Sequence, residues 1–143
     1  MLSLRTANKS EMAWINCCYD DLGFVHSDFN REIIAIAEYE GQKAGLGRLV
    51  TIDENNFELG GMYVFNQYRD KGIAKEIVRF LLNHVECLQT VYCIPFQHLT
   101  HFYAGCGFEM CVQREQVPKE ILEKFHWCKG KYPSPTSLMV KKR

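Results

Sequence analysis

Arg69-Asp70-Lys71-Gly72-Ile73-Ala74 stands between Tyr63-Val64, which reads as the end of a strand, and a run that reads as an amphipathic helix. A helix N-terminus leaves backbone N–H groups unpaired and carries a partial positive charge, so it attracts anions and suits phosphates best. Gly72 lets the backbone approach a ligand closely. Ala74 keeps the next position small, and Arg69, Lys71 and Lys75 add positive charge at the same end. The chemistry this spacing could serve is a pyrophosphate cradle. A solvated basic turn, with its glycine there for geometry alone, fits the same residues. The stretch is not a Walker loop, because Gly-Lys-Ser/Thr is absent. Nor is it a dinucleotide fingerprint: Gly45-Leu46-Gly47 falls inside a strand pattern and opens no helix.

Other reactive side chains are spaced less tellingly. His98 and His101 share one side of a short helix, with Cys93 and Cys106 near in sequence. A zinc site would prefer a Cys-x-x-Cys pair with a His pair, so no metal is expected. Cys17-Cys18 with His26 could suggest a thiol nucleophile, but nothing orients a base toward either thiol. Trp14, Tyr19 and Phe24 line either the core or an acceptor cleft. Lys141-Lys142-Arg143 reads as a solvated basic tail.

The composition sets wider bounds. A chain of 143 residues is expected to form one domain, residues 1–143, with enough length for a real core. Lys plus Arg and Asp plus Glu number 17 each, so no global field argues for a nucleic acid or an anionic membrane as partner. The seven cysteines are an odd number, and Met1 to Asn8 is too short and polar for a secretory leader. A reduced, cytoplasmic setting is expected, with the thiols mostly small buried hydrophobes. No apolar run approaches membrane-spanning length. A homodimer stays open.

The elements that must position the Arg69–Ala74 turn follow from periodicity. Leu2 to Thr6 is a weak first strand, and Asn8 or Ser10 caps a helix through about Tyr19. Asp20 to Asn30 breaks the periodicity and reads as loop, with room for a short helical turn. Ile33–Tyr39, Ala44–Ile52 and Phe57–Val64 form an antiparallel meander with short turns at Glu40–Lys43 and Asp53–Asn56. Ile73, Ala74, Ile77, Val78, Leu81, Leu82 and Val85 share one helical face, opposite Lys75, Glu76, Arg79 and Asn83. Thr90–Ile94 is a strand ended by Pro95, Phe96–Gly105 a short helix and Phe108–Val112 a strand. Pro118 opens a helix through about Cys128, ended by Gly130, Pro133 and Pro135, and Thr136–Lys141 is the last strand. The helical crossover after Phe57–Val64 makes that strand parallel to Thr90–Ile94. The fold class is therefore α/β or α+β, with a mixed, mostly antiparallel sheet flanked by helices.

Arg69-x-x-Gly72-x-Ala74, after a strand and opening a helix, resembles the acyl-CoA pyrophosphate loop of the GCN5-related N-acetyltransferase superfamily. Phe102 to Glu109, "FYAGCGFE", is similar to that family's Tyr-x-x-x-Gly-Phe segment, and Lys43 to Val50 resembles its third strand. The resemblance implies a splayed parallel strand pair at the centre of the sheet, with acetyl-CoA as cosubstrate and no metal. It implies that Met62, Tyr63 and Val64 hold pantetheine through exposed strand backbone. Arg69 and the amides of Asp70, Lys71, Gly72, Ile73 and Ala74 would hold the pyrophosphate. Many family members carry an Asn seven residues before the Tyr; here that position is Phe96.

The implied reaction is direct attack of a primary amine on the thioester in a ternary complex. An alkyl ammonium titrates near 10.4, so it must lose a proton first, and a base within reach is expected. Tyr103 matches the family's general acid for the leaving thiolate, and it could equally be a core aromatic beside Phe102. Glu58 is the first candidate for the base, with Glu38 second, and an exposed strand carboxylate or a water chain fits as well. Asp20, Asp21, Glu38 and Glu58 could attract a cationic acceptor, which slightly favours a small amine. The alternatives are a protein lysine or N-terminal acetyltransferase, and a non-catalytic acyl-CoA-binding regulatory module.

Overall fold

The computed structural model describes residues 1–142. Its strands are β1 (Leu2–Thr6), β2 (Glu32–Tyr39), β3 (Gln42–Thr51), β4 (Asn56–Val64), β5 (Thr90–Cys93), β6 (Glu109–Met110) and β7 (Met139–Lys142). Its helices are α1 (Met12–Leu22), α2 (Ile73–Leu82), α3 (Thr100–Gly105) and α4 (Lys119–Lys131). The sheet order is β1-β2-β3-β4-β5-β7-β6, and β4 with β5 is its parallel pair. The mixed, mostly antiparallel sheet expected from the crossover is therefore present. The chain divides into two compact units, Met1–Val50 with Gly61–His84, and Thr51–Gly60 with Val85 onward.

In the first unit β2 pairs antiparallel with both β1 and β3. The β2–β3 turn is the two-residue loop Glu40-Gly41, with φ of 51° and 79°. Positive φ at both central positions is the hairpin turn whose twist matches the flanking strands. Ile15, Cys18 and Tyr19 of α1 bury themselves on Ile34 of β2 and Leu46 of β3. α2 packs on β1 and β2. Ile73, Ile77, Val78, Leu81 and Leu82 are its buried face, as the spacing predicts. Gly45 and Gly47 explain themselves here. A Cβ on Gly45 would stand 2.8 Å from the Tyr63 carbonyl oxygen, and one on Gly47 would stand 2.6 Å from Met62 Sδ and 2.8 Å from Ile77 Cγ2. They are bare so that β4 and α2 can approach β3.

In the second unit the start of β4 pairs with β5, β5 with β7, and β7 with β6. α4 covers them: Ile121 and Phe125 pack with Tyr92, Cys111, Val117, Leu138 and Val140.

Several boundaries differ from the sequence reading. α1 begins after a 3-10 turn at Lys9–Glu11 and runs to Leu22, where Gly23 at φ 70° ends it. Asp20 to Leu22 therefore form the last turn of α1, the short helical turn the stretch allowed, and the loop begins at Gly23. Phe96–Gly105 is a 3-10 turn followed by α3. β6 is only Glu109–Met110, and β7 begins at Met139 rather than Thr136. α4 runs through Gly130 to Lys131. Gly130 is tolerated there because a helix-interior glycine costs only about 1 kcal/mol against Ala, and the Phe125 and Cys128 face is already docked. Of the basic tail, Arg143 lies outside the described residues.

Candidate active site

The Arg69–Ala74 turn sits in the first unit, where β4 gives way to α2. Val64 is followed by a 3-10 turn at Asn66–Tyr68, then Arg69 in an extended conformation. Asp70 has φ 64° and Gly72 φ 75°. Two left-handed residues in three curl the backbone so that the chain enters α2 with Gly72 in the N-cap position. No side chain caps this helix, so its first-turn amides have no intrahelical acceptor. A Cβ at Gly72 would meet nothing within 4 Å; the glycine is there for its φ and for the open space beside it. Lys71 holds its ammonium 5.0 Å from the centre of the Tyr39 ring, while Arg69 and Asp70 are exposed. An uncapped, basic, glycine-bearing helix start has the donors and the room a pyrophosphate needs, so these residues fit that group.

Upstream, Met62, Tyr63 and Val64 are half-buried. The β4 ladder with β5 ends at Leu59 opposite Cys93. At Gly61 the strand turns to φ 59°, and the Tyr19 hydroxyl donates to the Gly61 carbonyl oxygen at 2.8 Å. Arg48, only 5% exposed, lays its guanidinium over the Tyr19 ring at 4.3 Å. It donates to the Val25 carbonyl oxygen at 2.9 Å and to Ser27 Oγ at 2.7 Å. Sequence reasoning missed this support. A signal was available, because paired glycines inside a strand pattern mark a bulge or a close approach.

The two proposed catalytic residues belong to the second unit. Tyr103, on α3, is buried, with the Phe102 ring at 5.0 Å and the Phe108 ring at 6.1 Å. Burial pushes its phenol well above the ordinary tyrosine range, and the Cys93 and Cys106 thiols add to the shift. Glu58, early on β4, is buried as well, and Lys124 of α4 donates to both its oxygens, at 2.9 and 2.8 Å. Sequence offers no signal for Lys124, which lies 66 residues away. Burial pushes the thiol of Cys93, opposite Leu59 in the ladder, upward, and the charge of Glu58 adds to the shift.

The carboxylates that suggested a cationic acceptor are mostly occupied. Asp20 pairs with His26 at 2.6 Å, Glu38 with Arg5 at 3.3 Å, and Glu58 with Lys124. They do not form a free acidic trap. Among the described residues no cluster of three or more His, Cys, Asp or Glu could hold a metal ion, and no helix is long and apolar enough to cross a membrane.

A family model described as the acetyltransferase (GNAT) family matches residues 3–108 of this chain. Solved structures share the fold. Rv2747 from Mycobacterium tuberculosis, in complex with CoA, is 19% identical at a TM-score of 0.75, covering 99% of each chain. Naa50 from Arabidopsis thaliana, in complex with the bisubstrate analogue CoA-Ac-MVNAL, is 16% identical at 0.71, again covering 99% of each. N-acetylglutamate synthase from Neisseria gonorrhoeae, complexed with coenzyme A and N-acetyl-glutamate, is 15% identical at 0.73 over 99% of this chain. This chain spans only 35% of that synthase. A search of curated protein sequences finds no match.

Proposed function

The chain belongs to the acetyltransferase (GNAT) family, and from that premise we propose that it transfers an acetyl group from acetyl-CoA to a primary amine by direct attack in a ternary complex. The observation that carries this reading is the uncapped start of α2 behind Arg69–Gly72, with left-handed backbone at Asp70 and Gly72.

Acetyl-CoA supplies the acyl group as a thioester. Arg69 and the amides of Asp70, Lys71, Gly72, Ile73 and Ala74 bind its pyrophosphate, and the backbone of Met62, Tyr63 and Val64 binds pantetheine. The acceptor nitrogen must be neutral to attack. A C–N bond then forms, the C–S bond breaks, and the sulfur leaves as a thiolate that takes a proton. Tyr103 stands as the donor. Its raised pKa keeps the phenol protonated at every working pH, yet a thiol titrates near 8.5, so full transfer from the phenol is uphill. Its contribution is therefore a hydrogen bond to the departing sulfur, and the released thiolate takes its proton from solvent water. Glu58 accepts the amine's proton, directly or through water, at the cost of disturbing its bond to Lys124. A water chain that bypasses Glu58 is the competing route.

With Asp20, Glu38 and Glu58 paired, the charge argument for a small polyamine-like acceptor is weakened, and peptide amines stand level with free ones. The experiment is release of free thiol from acetyl-CoA, with and without a panel of free amines and peptides. Acetylation of one class identifies the acceptor; binding of coenzyme A without turnover on any of them would make this a regulatory acyl-CoA module.

A further inference from the structure

The second unit carries a cavity of about 510 Å³ that the acetyl-transfer reading does not use. Its walls come from α4, from the 132–138 segment that follows it, and from Gln97, Met110 and Arg114. That volume lies within the range of small-molecule sites. Two cations stand on one buried ring: Arg114 Cζ is 5.0 Å and Lys129 Nζ 4.6 Å from the centre of Phe125. Among the described residues neither has an acidic partner, and no carboxylate lines the cavity. Lys129 also offsets the negative end of α4, in whose last turn it lies. Arg114, outside that helix, has no such duty. Both cations line the cavity, so its wall carries positive charge with no carboxylate to offset it, and an anion in the cavity relieves that.

The rest of the lining suits the same guest. Gln97, Ser134 and Ser137 bring side-chain donors. Thr136, 7% exposed, lies in the wall, and its Oγ1 finds no hydrogen-bond partner among the described residues. Tyr132, Pro133 and Pro135 offer flat apolar surface. A carboxylate needs only one guanidinium. A phosphomonoester brings about −1.5 to −2 charge and three acceptor oxygens, which matches two cations and several hydroxyls. We propose that this cavity binds a small phosphomonoester, its phosphate held by the lining cations Arg114 and Lys129 and its organic body against the Tyr132–Pro135 wall.

Calorimetric titration of the whole protein with phenyl phosphate, inorganic phosphate and benzoate tests this. Phenyl phosphate should bind saturably, more tightly than inorganic phosphate and much more tightly than benzoate. Arg114→Gln and Lys129→Gln should each weaken it roughly tenfold or more, the usual loss when one charge-assisted contact is removed. Arg114→Lys should retain most of the affinity. Lys119→Gln, a 91% exposed cation on the same helix outside the cavity, should change nothing. The proposal is overturned by absence of saturable binding, by equal binding of benzoate or inorganic phosphate, or by a loss in Lys119→Gln as large as in Arg114→Gln. Displacement of phenyl phosphate by coenzyme A would also overturn it, because the cavity would then belong to the cosubstrate.

Discussion

The hydroxyl of Tyr19 holds the carbonyl of Gly61, 42 residues downstream, at 2.8 Å. A helix residue thereby fixes the one left-handed position in β4, directly ahead of the Met62–Val64 backbone proposed to bind pantetheine. Tyr19→Phe leaves that carbonyl without its donor, at about 1–3 kcal/mol, which should lower Tm by several degrees in a chain of this size. Gly61→Ala should cost more, because its Cβ would meet Tyr19 Oη at 2.5 Å and Arg48 Nε at 2.8 Å. Both variants should also bind coenzyme A more weakly. Loss of stability with unchanged affinity would make the contact purely structural.

Gly72 separates backbone strain from access. Val there must adopt φ 75°, which a β-branched residue resists, so Gly72→Val should lower both Tm and coenzyme A affinity. Asn accepts a left-handed backbone far more readily, and no neighbour blocks its Cβ. Gly72→Asn should therefore keep nearly the wild-type Tm yet lose affinity several-fold. Wild-type affinity in a folded Gly72→Asn protein would remove the pyrophosphate from this turn.

Tyr103→Phe keeps the ring that packs on Phe102 and Phe108 and removes the donor. A hydrogen bond to a charged group is worth about 1.5–3 kcal/mol, so kcat should fall roughly ten- to a hundredfold, with coenzyme A affinity preserved. Single-turnover measurement isolates the chemical step, and an unchanged rate would leave Tyr103 as core.

Glu58 and Lys124 should couple. Glu58 is 6% and Lys124 33% accessible at the side chain, so removing either partner costs about 2 kcal/mol, less than for a fully buried pair. The double variant Glu58→Gln/Lys124→Met should cost less than the sum of the single ones. If Glu58 is also the base, Glu58→Gln should lose the acidic limb of kcat/KM against pH. Its activity should recover at high pH, where more of the amine is already neutral. An unchanged profile assigns the proton to water or to Glu38.

Acid should loosen the first unit through Glu11. The Arg5 guanidinium donates to its carboxylate and, with the Asn8 backbone N–H and the Lys43 charge, holds its pKa at about 2, against an ordinary value of 4.5. A depressed carboxylate contributes stability that is complete above the unfolded value and lost as pH falls through the folded one. The window is thus pH 4.5 down to about 2. With Arg5 36% exposed, screening leaves this worth about 1 kcal/mol. Glu11→Gln should flatten the stability curve in that window and be uniformly less stable at neutral pH.

Much was legible in the residue order because it depends on neighbours along the chain. The α2 face repeats at helical spacing, the Glu40-Gly41 turn needs positive φ, and a crossover helix makes β4 and β5 parallel. The Arg69–Ala74 turn was legible for the same reason, since its donors and its glycine are contiguous. Element ends were less so. β6 shrank to two residues, while α4 ran through Gly130, because packing decides where an element stops. The support of the site was not legible at all. Tyr19 reaches Gly61, Lys124 takes both oxygens of Glu58, and Arg114 reaches the Phe125 ring. Each of these pairings joins residues from different elements. Only tertiary structure brings such groups together, and it decided that the carboxylates suggesting a cationic acceptor are mostly held by His26, Arg5 and Lys124. Charge is a property of sequence; whether a charge is free to bind depends on what the fold places beside it.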